Sequence, residues 1–197
     1  TNEIGVFEMQ EGGLREVKNP SALFLEERPV GVSGSVVYPA MEGARPLLVE
    51  VQALVSDPHA GSPRRTITGV NPNRVALLLA VLERHGGLRF CDRDVFVNVA
   101  GGIRVEEPGV DLAVAAALAS SLLNRPVPAS LAVFGEVGLS GEVRAVSASR
   151  QRAAEVAKFG FTRCLVPKSC SRDIAASGIT PEPALTIVEA LKVALEK

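Results

Sequence analysis

Apolar positions along this chain change period in a way that divides it into strands and helices. Residues 34–38 and 47–55 are β-branched, apolar runs, and a turn over 39–43 separates them, so they predict an antiparallel pair. Residues 56–63 form a polar loop, and 64–68 predict a strand with its basic end in that loop. Asn71-Pro72-Asn73 signals a helix start. The helix covers 74–85, with Val75, Leu78, Leu79 and Leu82 on one side and Gly86-Gly87 as its stop. Residues 95–99 read as a strand that 103–105 extend or pair with. Residues 111–123 are apolar nearly all round and predict a buried helix. Asp111, at its start, is expected to cap it and complement its dipole. Ser120 and Ser121, at its far end, are expected to bond back to its carbonyls.

The most ordered pattern runs over 135–168. Residues 131–137 are apolar and β-rich, and Gly138 and Gly141 then punctuate a hairpin. Ser149 starts a helix with Ala153, Val156, Ala157 and Phe159 on one face, and Gly160 ends it. Residues 161–166 return as a strand closed by Pro167. A short helix opens at Ser171 and ends at Gly178, and 186–195 form the last helix. At the other end, 4–9 and 14–17 read as a small hairpin around Gly12-Gly13, followed by a helical turn from Asn19 to Leu25. Residues 1–28 are expected to be an appendage and 29–197 the main domain. The fold class expected is α+β, mixed sheets with helices packed on their faces.

Composition narrows the picture. At 197 residues and 47% apolar the chain can bury a full core, built from Val, Leu, Ile and Ala because tryptophan is absent. A net charge of −1 announces neither nucleic acid nor membrane, so a charged binding face must come from local segregation. Cys91, Cys164 and Cys170 show no C-x-x-C spacing, which fits a reducing compartment better than a disulfide framework. His59 and His85 are too few to build a zinc site with them, and no metal is expected. No apolar run approaches the roughly 20 residues of a membrane span, and a cytoplasmic location is expected. The chain starts at Thr1 rather than Met and is expected to be a fragment of a longer protein.

Two resemblances follow from these motifs. Gly135, Glu136 and Gly141 of the hairpin, with Pro167-Lys168 at the close, resemble the proteolytic domain of the Lon protease family. That likeness implies a ring-forming Lon-like fold. In that family a serine nucleophile and a lysine base do the chemistry. Here the serine position is held by Val110 or, with a one-residue slip, Asp111, and the lysine position by Arg150. Neither Val110 nor Asp111 supplies a hydroxyl, and an arginine keeps its proton. The chain is therefore expected not to be an enzyme.

The segments EIGVFEM, GLREV and NPSALFL, with Arg64-Arg65, Asn73-Arg74 and GEVGLSGEVR, resemble the bacterial RadA (Sms) DNA-repair family. In that family a Lon-like domain follows a RecA-like ATPase core. The resemblance makes 1–28 the end of that core and covers nearly the whole chain. No G-x-x-x-x-G-K-[ST] loop, four-cysteine zinc motif or KNRFG motif is present. ATP, Mg and zinc are thus expected only in an amino-terminal part beyond this chain. The resemblance implies homohexameric rings, DNA as ligand (single-stranded or branched), RecA as partner, and a role in recombination and branch migration.

The expected DNA contacts are arginines, whose forked guanidinium suits phosphate. Arg64, Arg65, Arg74, Arg84, Arg89 and Arg93 stand between residues 60 and 95 against Glu83, Asp92 and Asp94. Arg64-Arg65 with Arg74 is the best cluster. Arg144, Arg150, Arg152 and Lys168 form a second, and Arg150 either meets DNA or pairs with Asp111. Scarce aromatics argue against base stacking. The function expected is ring assembly with sequence-independent DNA binding; the alternative is a purely structural oligomerisation domain.

Overall fold

A computed structural model describes residues 7–10, 12–17, 19–58 and 61–196. Its centre is a seven-stranded sheet. In chain order the strands are β3 (Ser35–Glu42), β4 (Arg45–Ser56), β5 (Arg65–Thr68), β6 (Asp94–Val99), β7 (Leu131–Val133), β10 (Arg163–Pro167) and β11 (Thr180–Ala184). Their spatial order is β11-β10-β7-β3-β4-β6-β5. The pairs β11–β10, β10–β7, β7–β3 and β6–β5 are parallel. Only β4 runs against its neighbours, β3 and β6. Two small hairpins stand outside the sheet: β1 (Phe7–Gln10) with β2 (Gly13–Glu16), and β8 (Glu136–Val137) with β9 (Val143–Arg144). The class is mixed α/β, with a mostly parallel sheet and packed helices.

The helices are α1 (Pro20–Leu25), α2 (Pro72–Arg84), α3 (Asp111–Leu123), α4 (Ser149–Lys158), α5 (Ser171–Ala175) and α6 (Ile187–Ala194). Consecutive residues of β3 and β4, such as Val36 with Val37 and Leu48 with Val49, are fully buried. Both sheet faces are therefore covered, which is why these strands read as continuous apolar runs rather than alternations. Helix α3 packs on both strands, with α2 and α6 against it. Every residue of α3 from Asp111 to Ser120 is buried. Helices α1 and α4 also pack on β4. The Ser21 hydroxyl joins them, donating to Glu155 Oε1 at 2.8 Å and accepting Leu48 N at 3.0 Å.

Several expectations change. The first strand does not turn at Pro39 but runs on to Glu42, with the turn at Gly43. Leu48 N donates to Ser21 and not to β3, so Pro39 and Leu48 form a non-hydrogen-bonded pair and the missing N–H of Pro39 interrupts nothing. The run 131–137 divides between β7 in the sheet and β8 in the hairpin. Residues 103–105 form no strand; Val105 N instead bonds Gly69 O at 2.7 Å. Strand β11 escapes sequence reading because Pro181 and Pro183 demote it, yet an edge strand tolerates both when they face outward.

The serines at the end of α3 do not bond back to its carbonyls. Ser120 Oγ accepts Gly34 N at 2.9 Å and donates to Arg125 O, and Ser121 Oγ accepts Val55 N at 2.9 Å. Gly34 sits at φ +83°, and a Cβ there would lie 2.1 Å from Ala53 O. The predicted amino-terminal hairpin forms over Phe7–Gln10 and Gly13–Glu16, and its expected first residues lie outside the described ones, as does His59.

Candidate functional site

Residues 107–111, Glu-Pro-Gly-Val-Asp, lead into α3 and are clamped at both ends by arginines from distant elements. At the carboxy-terminal end, the Asp111 carboxylate is fully buried. It does not cap α3, whose N-cap is Val110 with no side-chain bond. Instead Asp111 Oδ1 accepts Arg74 Nε at 2.9 Å, and Oδ2 accepts Arg74 Nη2 and, at 3.0 Å, Val137 N. Arg74 Nη2 also donates to Val137 O at 2.8 Å. One bidentate pair thus ties α2, α3 and β8 together. The hydrogen bond to Asp111 holds the Arg74 guanidinium charged. Asn71 accepts the amides of Asn73 and Arg74, so a proper cap presents Arg74 from the first turn of α2.

At the other end, Glu107 meets Arg152, whose side chain has no exposed surface. Arg152 Nη1 donates to Glu107 Oε1 at 2.9 Å and Nη2 to Oε2, a second fork. Its remaining donors reach Tyr38 Oη at 3.1 Å, Pro39 O at 2.5 Å and Ser147 O at 3.0 Å. Tyr38 Oη and, at 2.9 Å, Met41 N donate to Glu107 Oε1. Burial raises the Glu107 carboxyl, but the bonds from Arg152, Tyr38 and Met41 outweigh it and leave the group below its ordinary range. Burial pushes the Tyr38 phenol up, so it stays a donor. Between the clamps, a Cβ on Gly109 would stand 2.9 Å from Tyr38 Oη, and the backbone passes at glycine distance. A cavity of about 180 Å³ opens here, lined by Asn71, Arg74, Glu107, Val110 and Asp111 among others.

The positions compared with the serine of a Ser–Lys pair are thus part of a structural frame, and the position compared with its lysine is not. Val110 is buried and Asp111 is committed to Arg74. Arg150 is exposed on α4 and has no ion pair among the described residues; Arg74 occupies the partner it was expected to share. Of the expected DNA contacts, Arg152 is buried and cannot reach a ligand, because its guanidinium is spent on Glu107 and three other acceptors. Arg74 keeps only part of its side chain exposed.

Other arginines do meet. Arg65 Nη2 donates to Phe90 O at 2.7 Å, and Nη1 donates to Arg64 O at 3.1 Å and to Arg93 O. Arg64, Arg65 and Arg93 therefore share one corner, where the approaches to β5 and β6 converge. Arg93 pairs with Asp57 and Asp92, and Arg89 with Asp92 at 3.6 Å. Arg64 and Arg65 are exposed and pair with no acid among the described residues. Arg84 is exposed at the end of α2, Arg144 pairs with Glu142 at 2.6 Å, and Lys168 is exposed after β10. None of these three shares a hydrogen bond or ion pair with the corner among the described residues.

The Tyr38–Glu107–Arg152 network had no signal in the sequence. Tyr38 is the single tyrosine, but its partners lie 69 and 114 residues away. No group of three or more His, Cys, Asp or Glu side chains that could hold a metal exists among the described residues. None of the described helices is long and apolar enough to cross a membrane.

A profile of the family described as subunit ChlI of Mg-chelatase matches residues 60–170, which include both clamps and the arginine corner. DNA repair protein RadA of Haemophilus influenzae is 57% identical over 166 residues, covering 84% of this chain and 36% of its own length. RadA of Escherichia coli K12 is 56% identical over the same extent, with the same coverage. RadA of Halalkalibacterium halodurans is 50% identical over 196 residues, 99% of this chain and 43% of its own. The chain belongs to the RadA family of DNA repair proteins and carries a ChlI-type domain. It spans between 36% and 43% of the length of these RadA relatives.

The same matches correct the expectation that the chain is not an enzyme. Residues 60–170 match a subunit of a chelatase, and the chain is part of an enzyme family. The residues at Val110, Asp111 and Arg150 speak only to one chemistry, a Ser–Lys pair, and could not decide the wider question.

Proposed function

We propose that the chain is the Lon-like module of a RecA-like DNA repair enzyme, building a homohexameric ring and holding DNA without reading its sequence. One observation carries the DNA contact. Arg65 is fixed by main-chain carbonyls and Arg64 stands beside it, so both charges remain available at an exposed corner in a member of a DNA repair family. Preset guanidinium groups lose little freedom on meeting a phosphate, and backbone contacts supply sequence-independent affinity. Repeating the corner around a ring multiplies a weak contact by avidity. On this reading residues 1–28 close the RecA-like core and 29–197 are the Lon-like domain. ATP, Mg and zinc are bound by parts of the protein beyond this chain, RecA is the partner, recombination and branch migration are the process, and the cytoplasm is the location.

A second reading, a ring scaffold without DNA contact, draws on the internal use of Arg74 and Arg152 and on the acids beside Arg89 and Arg93. A DNA titration at two salt concentrations, with the mass in solution measured on the same sample, separates them. Salt-sensitive binding that Arg64→Ala and Arg65→Ala weaken supports the first. A ring that ignores DNA supports the scaffold.

A further inference from the structure

The two edges of the central sheet are built differently. At one end, Thr180 N bonds Thr162 O at 2.9 Å, so Thr180 and Glu182 turn their main-chain groups toward β10. Pro181 and Pro183 fall on the alternate positions and face outward, where a proline offers no N–H. That edge is closed to any further strand. At the other end, Val95 N bonds Arg64 O at 2.9 Å, so in the parallel ladder Thr66 and Thr68 turn toward β6. The main-chain N–H and C=O groups of Arg65 and Ile67 then face outward, and no strand pairs with them among the described residues.

This open edge has a floor and a charge. A cavity of about 550 Å³ lies between β5 and α2, lined by Arg65, Thr66, Ile67, Pro72, Val75, Ala76 and Leu79. Side chains of a strand added to β5 would alternate, and those turned toward α2 would enter this apolar space. At the start of β5, the Arg64 main-chain N–H donates to Asp94 Oδ1 at 2.7 Å while its side chain is exposed, and Arg65 is held on carbonyls, so neither guanidinium has an ion pair among the described residues.

We propose that β5 is a docking edge for an extended peptide segment of another protein, bound by strand addition, with aliphatic side chains at alternate positions and a carboxylate beside Arg64. Main-chain bonds to Arg65 and Ile67 give the register, the groove beside α2 selects the aliphatic residues, and the arginine corner selects the acidic end. Continuation of the sheet into the proline-bearing edge of a second copy is disfavoured, because that edge lacks the donors.

The probe is an end-capped six-residue peptide alternating valine and threonine with glutamate at both ends, added to the full chain. Its counterpart carries lysine at both ends. The expected result is slowed amide hydrogen exchange at Arg65 and Ile67 with the glutamate peptide only. Ile67→Pro removes an outward N–H without touching the ladder to β6, and it should abolish peptide binding while DNA binding persists. Arg64→Glu, at an exposed position, should lose both. Equal binding of the lysine peptide, unaltered binding by Ile67→Pro, or unchanged exchange at both amides would overturn the proposal. So would protection of those amides that depends on protein concentration without peptide, since a second copy would then be the occupant. DNA binding that fails while the peptide still protects the edge rejects the DNA reading alone.

Discussion

Arg152 and Glu107 form a bidentate pair across 45 residues of sequence, with the arginine side chain wholly out of solvent. Arg152 Nη1 also donates into β3, and Nε into the turn before α4. A charge so placed is tolerable only while its partners stay.

Truncating one partner should therefore be costly. Arg152→Ala is expected to destabilise the domain by about 3–5 kcal/mol, because Glu107 would keep its burial and lose its countercharge. Urea denaturation measures this. The double variant Arg152→Met with Glu107→Gln should recover much of the loss, and an additive result would contradict the coupling.

Acid should act through the same residue. Glu107 is held below its ordinary 4.5 in the folded state. A depressed carboxyl contributes stability that is present above the unfolded value and lost as pH falls through the folded one. Stability should thus decline from about 4.5 downward, with a shallower decline in Glu107→Gln. Equal acid slopes for the two proteins would remove Glu107 from the account.

At the second clamp, Arg74→Ala leaves the buried Asp111 with only the Val137 amide among the bonds described above. A loss of about 3–5 kcal/mol is expected, with faster amide exchange at Val137 as the local sign. A variant that exchanges like the parent at Val137 would show that the hairpin does not depend on this pair.

Ser120→Ala should cost about 1–3 kcal/mol, since the Gly34 amide would be buried without an acceptor. Thermal denaturation of Ser120→Ala beside Ser120→Thr, which keeps the hydroxyl, isolates the bond.

Thiol labelling tests the packing of the opposite half. Cys91 is exposed, while Cys164 and Cys170 are buried. Burial also raises the Cys164 thiol well above its usual range. A maleimide should modify Cys91 alone in the native protein, and all three only after unfolding.

Periodicity and punctuation were enough to place most elements. Asn71-Pro72 caps α2, the valine-rich run of 95–99 marks β6, and the apolar run of 111–123 marks the buried α3. These signals are local: each depends on residues a few positions apart, which is the range over which a helix turn or a strand pleat acts. What the tertiary structure alone decided is the pairing. Asp111 looks like a helix cap in sequence and becomes the anchor of Arg74, because α2 is packed beside α3. Arg152 looks like a surface cation one turn into a helix and becomes the largest fully buried side chain among the described residues, because Glu107, Tyr38 and Pro39 O surround it. Pro39, Pro181 and Pro183 read as strand breakers until the partner strand shows which side of each lacks a bond. A guanidinium or a proline carries no mark of its partner in the chain, since the partner is chosen by distance in space and the desolvation that follows.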